Sequence, residues 1–444
     1  GKGWLKTFFE RLQDDPRVRT VHLSERLDRH APTGRIYPPT ASYPELTVWA
    51  MPTAARARME SLLHELAVED PRGLLRDVRG GHWRGFLAKY PEVHRLHKRM
   101  LRVSRRLAAC AGDADEIEPI RRDLYLGQCN DAYWHGAFGG IYLPHLRRAV
   151  ERHLIRAERA LDRIEHGKDR FTIARPIAFH ADGSEQIELA NAHARVLIDP
   201  AGGAILGWDL MNACENWVAV MQRHEEPFHT DLREGRIIRV DDEGIPLESS
   251  DEDGVPTIHG AVRVKPGVEA EDLEVDRHTR TASILWSGPA GSDPEDPRRI
   301  EQCAQALDGT WDVVSFAPTP GIELATVQGG LRVTGRFALG ATNSSIDCTL
   351  EAAAVDGPRV LYSEWNLFVG WTGEDLECDQ GDGWSNCPSG QHRFKEAALE
   401  FRGGGERHLG IEAPAGTRLS WAPVLTVSSS EAGLERIGQG TCFL

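Results

Sequence analysis

The sequence predicts a multidomain α+β protein: a short remnant of a (β/α) barrel, a helical bundle, and then a large antiparallel β-sandwich. Three observations carry this. At 444 residues the chain is too long for one ordinary domain. Apolar residues recur at helical spacing up to about Arg163. Beyond Phe171 the period drops to two, with Gly and Pro turns between the runs. The expected divisions are 1–50, 51–165 and 170–444.

The elements follow in order. Lys6–Leu12 reads as an amphipathic helix, Arg19–Leu23 as a short strand, and Ser24 as the opening of a second helix. Tyr37–Tyr43, with paired prolines, must be a loop. Pro52 suits a first helical position, with Met59, Leu62, Leu63 and Leu66 on one face. The helix Val93–Leu107 would bury Val93, Leu96, Met100, Val103 and Leu107. Its Arg95, Lys98, Arg99, Arg102, Arg105 and Arg106 read as a solvated basic face. Leu146, Ala149, Val150, Leu154, Ala157 and Leu161 mark a third helix.

Strand-like runs then occupy Gln186–Leu189, Ala194–Ile198, Ala282–Trp286, Trp311–Phe316, Leu331–Leu339, Ser345–Glu351 and His408–Glu412. Their spacing points to a sandwich. Asp241–Asp253 and Asp293–Asp296 read as exposed loops.

Composition narrows the function. Lys and Arg number 52 against 67 Asp and Glu, a net of 52 − 67 = −15, which argues against nucleic acid or an anionic membrane as partner. No apolar run is long enough to span a bilayer. Eight cysteines without CxxC spacing argue against zinc and for reduced thiols in the cytoplasm; Cys378 and Cys387 flank a loop and could pair. His94 and His97 stand three apart but lack a third ligand, so no metal site is assigned. Assembly into a homo-oligomer is left open.

The chemistry concentrates in Gln128–Leu143, QCNDAYWHGAFGGIYL. Asn130, Asp131, Tyr133, Trp134 and His135 stand together, followed by Gly136, Gly139 and Gly140. Each buried polar tip needs a partner, so a core segment rarely spends so many at once. Sugars want this mixture, an aromatic face for the ring and acids or amides for its hydroxyls. The same stretch also reads as a helix N-terminus whose polar residues cap and whose aromatics pack.

This run resembles the last conserved region of glycoside hydrolase family 57, in its 4-α-glucanotransferase/α-amylase branch. Pro144–Val150, Gly1–Phe9, Ala41–Pro52, Arg79–Trp83 and Tyr90–Met100 resemble the same enzymes. The resemblance implies a mutarotase-like C-terminal sandwich, an α-1,4-glucan or maltooligosaccharide substrate, and no cofactor. It implies that Asp131 hydrogen-bonds sugar hydroxyls, that Trp134 stacks on a ring, and that Trp49 is a second aromatic near the acceptor side. His135 could donate to a sugar hydroxyl or satisfy a buried group. Trp83 and His82 border the cleft or pack in the core, with core packing the preferred role. Glu364, Trp365 and Asn366, with Trp371 and Trp384, are the site-like residues of the sandwich; packing is the preferred role. Ser428–Gln439 resembles a closing segment of structural role.

Retaining glycosidases need two carboxylates about 5–5.5 Å apart. In relatives the acid precedes a stretch like Gly1–Phe9, and the nucleophile lies earlier still. Both are therefore expected upstream of residue 1, in a C-terminal fragment with no catalytic residue of its own. The alternative is a non-catalytic glucan-binding or regulatory protein. The expected outcome is that the isolated chain leaves maltooligosaccharides unchanged; a measurable transglycosylation rate would contradict it.

Overall fold

The computed structural model describes residues 2–36, 44–78, 82–135, 140–167, 171–218, 221, 224–229, 234–247, 262–268, 284–292, 294, 296–309, 311–317, 321–340, 342–368, 376–379, 383–387, 389–394, 399–403, 407–430 and 432–444. The chain divides into two compact units, Gly1–Ala41 and Ser42–Leu444. The first contains α1 (Lys2–Asp14) and α2 (Leu23–Arg29). Arg19–Leu23 forms no strand: residues 18–22 are irregular and Leu23 already belongs to α2, so no neighbouring strand pairs their backbone groups. The loop expected at Tyr37–Tyr43 lies outside the described residues.

In the second unit, α3 (Pro44–Trp49), α4 (Thr53–Val68), α5 (Arg84–Lys89), α6 (Pro91–Ala109), α7 (Ala114–Gly127) and α8 (Pro144–His166) precede the strands. Pro52 is the N-cap of α4 rather than its first residue, and none of the helix's residues is buried. Its expected apolar face is thus only half-covered. Asp113 caps α7, its carboxylate accepting from the Glu116 N–H at 2.9 Å. α6, α7 and α8 share an apolar core through Val93, Leu96, Val103, Ile120, Leu124, Leu154, Ala157 and Leu161.

Every named strand run reappears within a few residues, the start of Ala282–Trp286 lying outside the described residues. The first sheet runs in order β1 (Thr172–Ile177), β2 (Gln186–Asn191), β3 (Ala194–Asp199), β4 (Ala204–Leu210) and β5 (Glu215–Asn216), all antiparallel. A four-stranded sheet follows over Asp312–Ala317, Gly321–Gln328, Leu331–Leu339 and Ile346–Ala354. An eight-stranded sheet is built around Arg359–Leu367, Arg418–Ser430 and Gly433–Phe443, and another four-stranded sheet around Leu399–Gly403. Pairing is antiparallel except where Ile237–Arg239 and Val262–Val264 run parallel to each other and Val264 meets Leu434. One apolar core joins the four sheets through Leu189, Val196, Leu324, Phe337, Phe401, Trp421 and Phe443. No helix among the described residues is long and apolar enough to cross a membrane.

The main correction concerns α6. Arg99, Arg102 and Arg106 are not a solvated face; they bind carboxylates between the helices and the first sheet. Arg99 donates to Glu158 of α8 at 2.5 and 3.0 Å and to Asp209 of β4 at 2.7 and 3.2 Å. Arg102 grips Glu188 of β2 with both terminal guanidinium nitrogens, at 2.5 and 2.9 Å. Arg106 reaches Asp162 at 2.6 Å and Glu165 at 3.0 Å. Arg195 of β3 joins Glu188 and Asp162 from the sheet side. Of the basic residues on α6, Arg105 stays exposed.

Strand alternation produces this layer. Ile187 and Leu189 point into the shared apolar core, so Glu188 points the other way, towards the helices. Arg195 and Asp209 stand directly opposite each other on β3 and β4. A cavity of about 100 Å³ remains among these charges, lined by Glu92, Arg95, Glu151, Glu158 and Arg195 among others. Buried oxygens of Glu92, Glu151 and Glu158 have no protein partner there, which suits a space large enough for a few waters.

Burial alone would raise the Glu158 pKa; Arg99, Arg195 and Arg102 overcome it and bring the group down to about 2. Glu92, buried beside His224 and Arg95, is also drawn to about 2. These folded values lie below the ordinary carboxylate value of 4.5. Their contribution is therefore complete above about pH 4.5 and is lost as pH falls towards 2. Replacing Arg99 with Ala strands two buried carboxylates. Denaturant unfolding at neutral pH should show a loss of about 3–5 kcal/mol, with Arg105→Ala as the unchanged control. Repeated between pH 4.5 and 2, the same titration should show wild-type stability falling.

Candidate functional site

The motif bridges two packed helices, running from the end of α7 to the start of α8. Gly127 lets them meet, since a Cβ there would lie 2.6 Å from the Leu154 side chain. Residues Asn130–Tyr133 form a 3-10 turn that buries Ala132 and Tyr133. The Tyr133 hydroxyl donates back to the Gly127 carbonyl at 2.6 Å, and the Trp83 indole donates to the Tyr133 carbonyl at 3.2 Å. Burial raises the Tyr133 pKa, so the phenol stays neutral and able to donate. Trp83 also packs edge-on against His97, which sets Trp83 in the support of the motif.

The far side of the loop is closed by the Ile141 N–H, which donates to the Trp134 carbonyl at 2.8 Å. Gly140 is required for this closure. Its φ is +69°, and a Cβ there would fall 2.1 Å from the Trp134 carbonyl oxygen. Arg147 of α8 donates to the Ile141 carbonyl at 2.5 Å and to the Gln439 side chain at 2.6 Å. Gln439 in turn donates to the Tyr142 carbonyl at 2.8 Å. The hairpin that ends the chain therefore holds the motif from below. Residues 136–139 lie outside the described residues.

The predicted site residues fall into two groups. Asp131 and Trp134 remain partly exposed. The Cys129 thiol donates to Asp131 at 3.7 Å. Trp49 stacks on Trp134 with ring centroids 6.0 Å apart and planes within 6°. The sequence-distant tryptophan is thus brought beside the motif by α3, which approaches closely at Gly85: a Cβ there would meet the Ala50 carbonyl oxygen at 2.3 Å. The Trp134 indole nitrogen is buried and has no partner among the described residues. His135 belongs to the second group. It is 6% exposed and packs edge-on against Tyr142 at 4.7 Å and Tyr90 at 6.1 Å. Beneath them lies Glu226, accepting from Tyr90 at 2.5 Å, Lys89 at 2.8 Å and Tyr142 at 3.2 Å. Burial, then Glu226, raises the pKa values of both tyrosines.

Elsewhere the candidate residues of the β-rich half do structural work. Glu364 is buried and accepts from the Trp286 indole and from Asn366, each at 2.7 Å. Trp365 donates to Ser363, and Trp384 lies under the Arg402 guanidinium. Trp371 and the Asp251–Asp253 loop are outside the described residues. Among the described residues, Asp162, Glu165 and His166 have metal-like spacing, but Arg106 and Arg195 already engage both acids.

Comparison with known proteins places this architecture in a class. Residues 81–161 match a family profile described as alpha-amylase/4-alpha-glucanotransferase, middle domain, and residues 179–303 match its C-terminal counterpart. Residues 81–161 and 179–303 thus carry the middle and C-terminal domains of the α-amylase/4-α-glucanotransferase family. The chain is 30% identical over 461 residues to alpha-amylase 1 of Dictyoglomus thermophilum, an alignment covering all of this chain and 63% of that protein. It is 36% identical over 282 residues to the 4-alpha-glucanotransferase of Thermococcus kodakarensis, covering 63% of this chain and 39% of that one. In fold it is similar to the crystal structure of the 4-alpha-glucanotransferase from Thermococcus litoralis. There the TM-score is 0.70 at 24% identity, over 100% of this chain and 63% of that chain.

None of the eight cysteines is disulfide-bonded, Cys378 and Cys387 included. Cys129 is the exposed one. Thiol titration of the native protein should show one fast-reacting group, absent in Cys129→Ser, and eight after denaturation. A mass shift on reduction would contradict this.

Proposed function

We propose that this chain supplies the substrate-binding walls of a retaining α-1,4-glucan-acting enzyme, a 4-α-glucanotransferase or α-amylase. The carrying observation is the grouping of Asp131, Trp134 and Trp49 on one partly exposed surface. The two indoles offer apolar faces to glucose rings, and Asp131 accepts from sugar hydroxyls. His135 supports the loop from within. The reacting carboxylates belong to polypeptide outside this sequence, and the first unit would be the end of their (β/α) barrel. Its exposed apolar side chains support this reading: Trp4 is 68% and Phe9 62% accessible, more than a solvated helix needs. The β-rich half would be a mutarotase-like sandwich.

The stack at 6.0 Å leaves no room for a sugar between the two rings, so a glucan lies along their common edge or outer face. Transferase over hydrolase is the preferred reaction, since an aromatic acceptor surface excludes water.

Isothermal titration with maltoheptaose tests the reading. Asp131→Ala should weaken binding about 10–100-fold, as expected for hydrogen bonds to a charged group. Trp134→Ala should weaken it by at least about tenfold. Wild-type affinity in both variants, with the fold retained, would refute the site.

A further inference from the structure

We propose that Glu226 is a positioning residue for the glucan-binding loop, a buried carboxylate from the segment after β5 that pins the loop's underside. This rests on the reading of Asp131 and Trp134 as substrate-binding residues.

β5 of the first sheet ends at Asn216, and Val218 still belongs to the core shared by the sheets. Met221 is buried in the same apolar core as Phe86, Tyr90 and Ile141. The His224 N–H donates to the Tyr142 hydroxyl at 3.1 Å, and the His224 ring pairs with Glu92 at 3.0 Å. Thr53 donates to the Glu225 carbonyl at 2.6 Å. Glu226 ends this strap, 1% exposed, and gathers Lys89, Tyr90 and Tyr142. Its own N–H donates to His229 Nδ1 at 3.1 Å.

The route from Glu226 to the site is short. Tyr142 packs on His135, and Ile141, one residue earlier, closes the loop on the Trp134 carbonyl. Tyr142 therefore carries Glu226's hold to the residue that sets the Trp134 ring. A neutral amide at position 226 would keep the shape but turn an N–H donor towards Lys89 or the phenols, leaving a buried ammonium without its counter-charge.

The experiment compares wild type, Glu226→Gln, Glu226→Gln/Lys89→Met and the exposed control Glu225→Gln in two assays. Hydrogen exchange of the 130–143 peptide reads the loop without ligand, and titration with maltoheptaose reads its consequence. Glu226→Gln should speed exchange in that peptide and weaken affinity by about tenfold, the scale of one buried charged partner lost. Exchange in α8 should stay unchanged, and the double variant should recover both readouts. Wild-type exchange in the loop of a folded Glu226→Gln, or equal loosening of loop and α8, would overturn the proposal. Were Glu226→Gln not to fold, Tyr142→Phe replaces it, and unchanged loop exchange there is the overturning result. If wild type itself binds no maltoheptaose, the glucan reading fails, while the exchange result still decides the role of Glu226.

Discussion

The second unit depends on one constraint: charges placed on facing surfaces of α6, α8 and the first sheet must all be paired, because none reaches bulk water freely. Arg99, Arg102, Arg106 and Arg195 meet Glu158, Asp162, Glu188 and Asp209 with short, often two-pronged contacts. Buried pairs of this kind contribute little net stability compared with apolar packing, but losing one partner is costly. Their value lies in register. A slip of β2 by one residue would turn Glu188 into the apolar core and Leu189 onto the arginines. A rotation of α6 would separate Arg99 from both of its acids.

That register governs the Gln128–Leu143 motif. The motif connects α7 to α8, and α8 is fixed to the sheet by Glu158 and Asp162. Arg147, on the same helix, ties the loop to Gln439 of the terminal hairpin. The loop is held from α8, from the hairpin and from the strap ending at Glu226, while Asp131 and Trp134 stay partly open to solvent. Rigid support beneath and polar groups above is the arrangement a sugar-binding surface needs.

Much of this was legible in the sequence, and the failures have physical causes. Leu331–Leu339 alternates buried and open residues along its length, so period two identified it at once. The motif was visible from its clustered polar and aromatic residues and the glycines Gly136, Gly139 and Gly140; that Gly140 in particular must lack a Cβ, because it sits against the Trp134 carbonyl, came only from the structure. The basic residues of α6 were misread because charge was counted over the whole helix. Arg95, Arg99, Arg102 and Arg106 are spaced four, three and four apart, which places them on one stripe facing the sheet. Glu151, Glu158, Asp162 and Glu165 repeat the pattern on α8. Periodicity applied to charge, as it was to apolar residues, would have found the pairing. Glu226 carried no such signal. Its partners Lys89, Tyr90 and Tyr142 lie 137, 136 and 84 residues away, and nothing local distinguishes it from Glu225.

The most direct measurement is a crystal structure of this chain soaked with maltoheptaose. The account predicts a glucose ring in van der Waals contact with Trp134 or Trp49 and a ring hydroxyl within hydrogen-bonding distance of Asp131. Sugar bound only elsewhere, on Trp384 or in the cleft bordered by Trp208 and Trp365, with Asp131 and Trp134 bare, would contradict it.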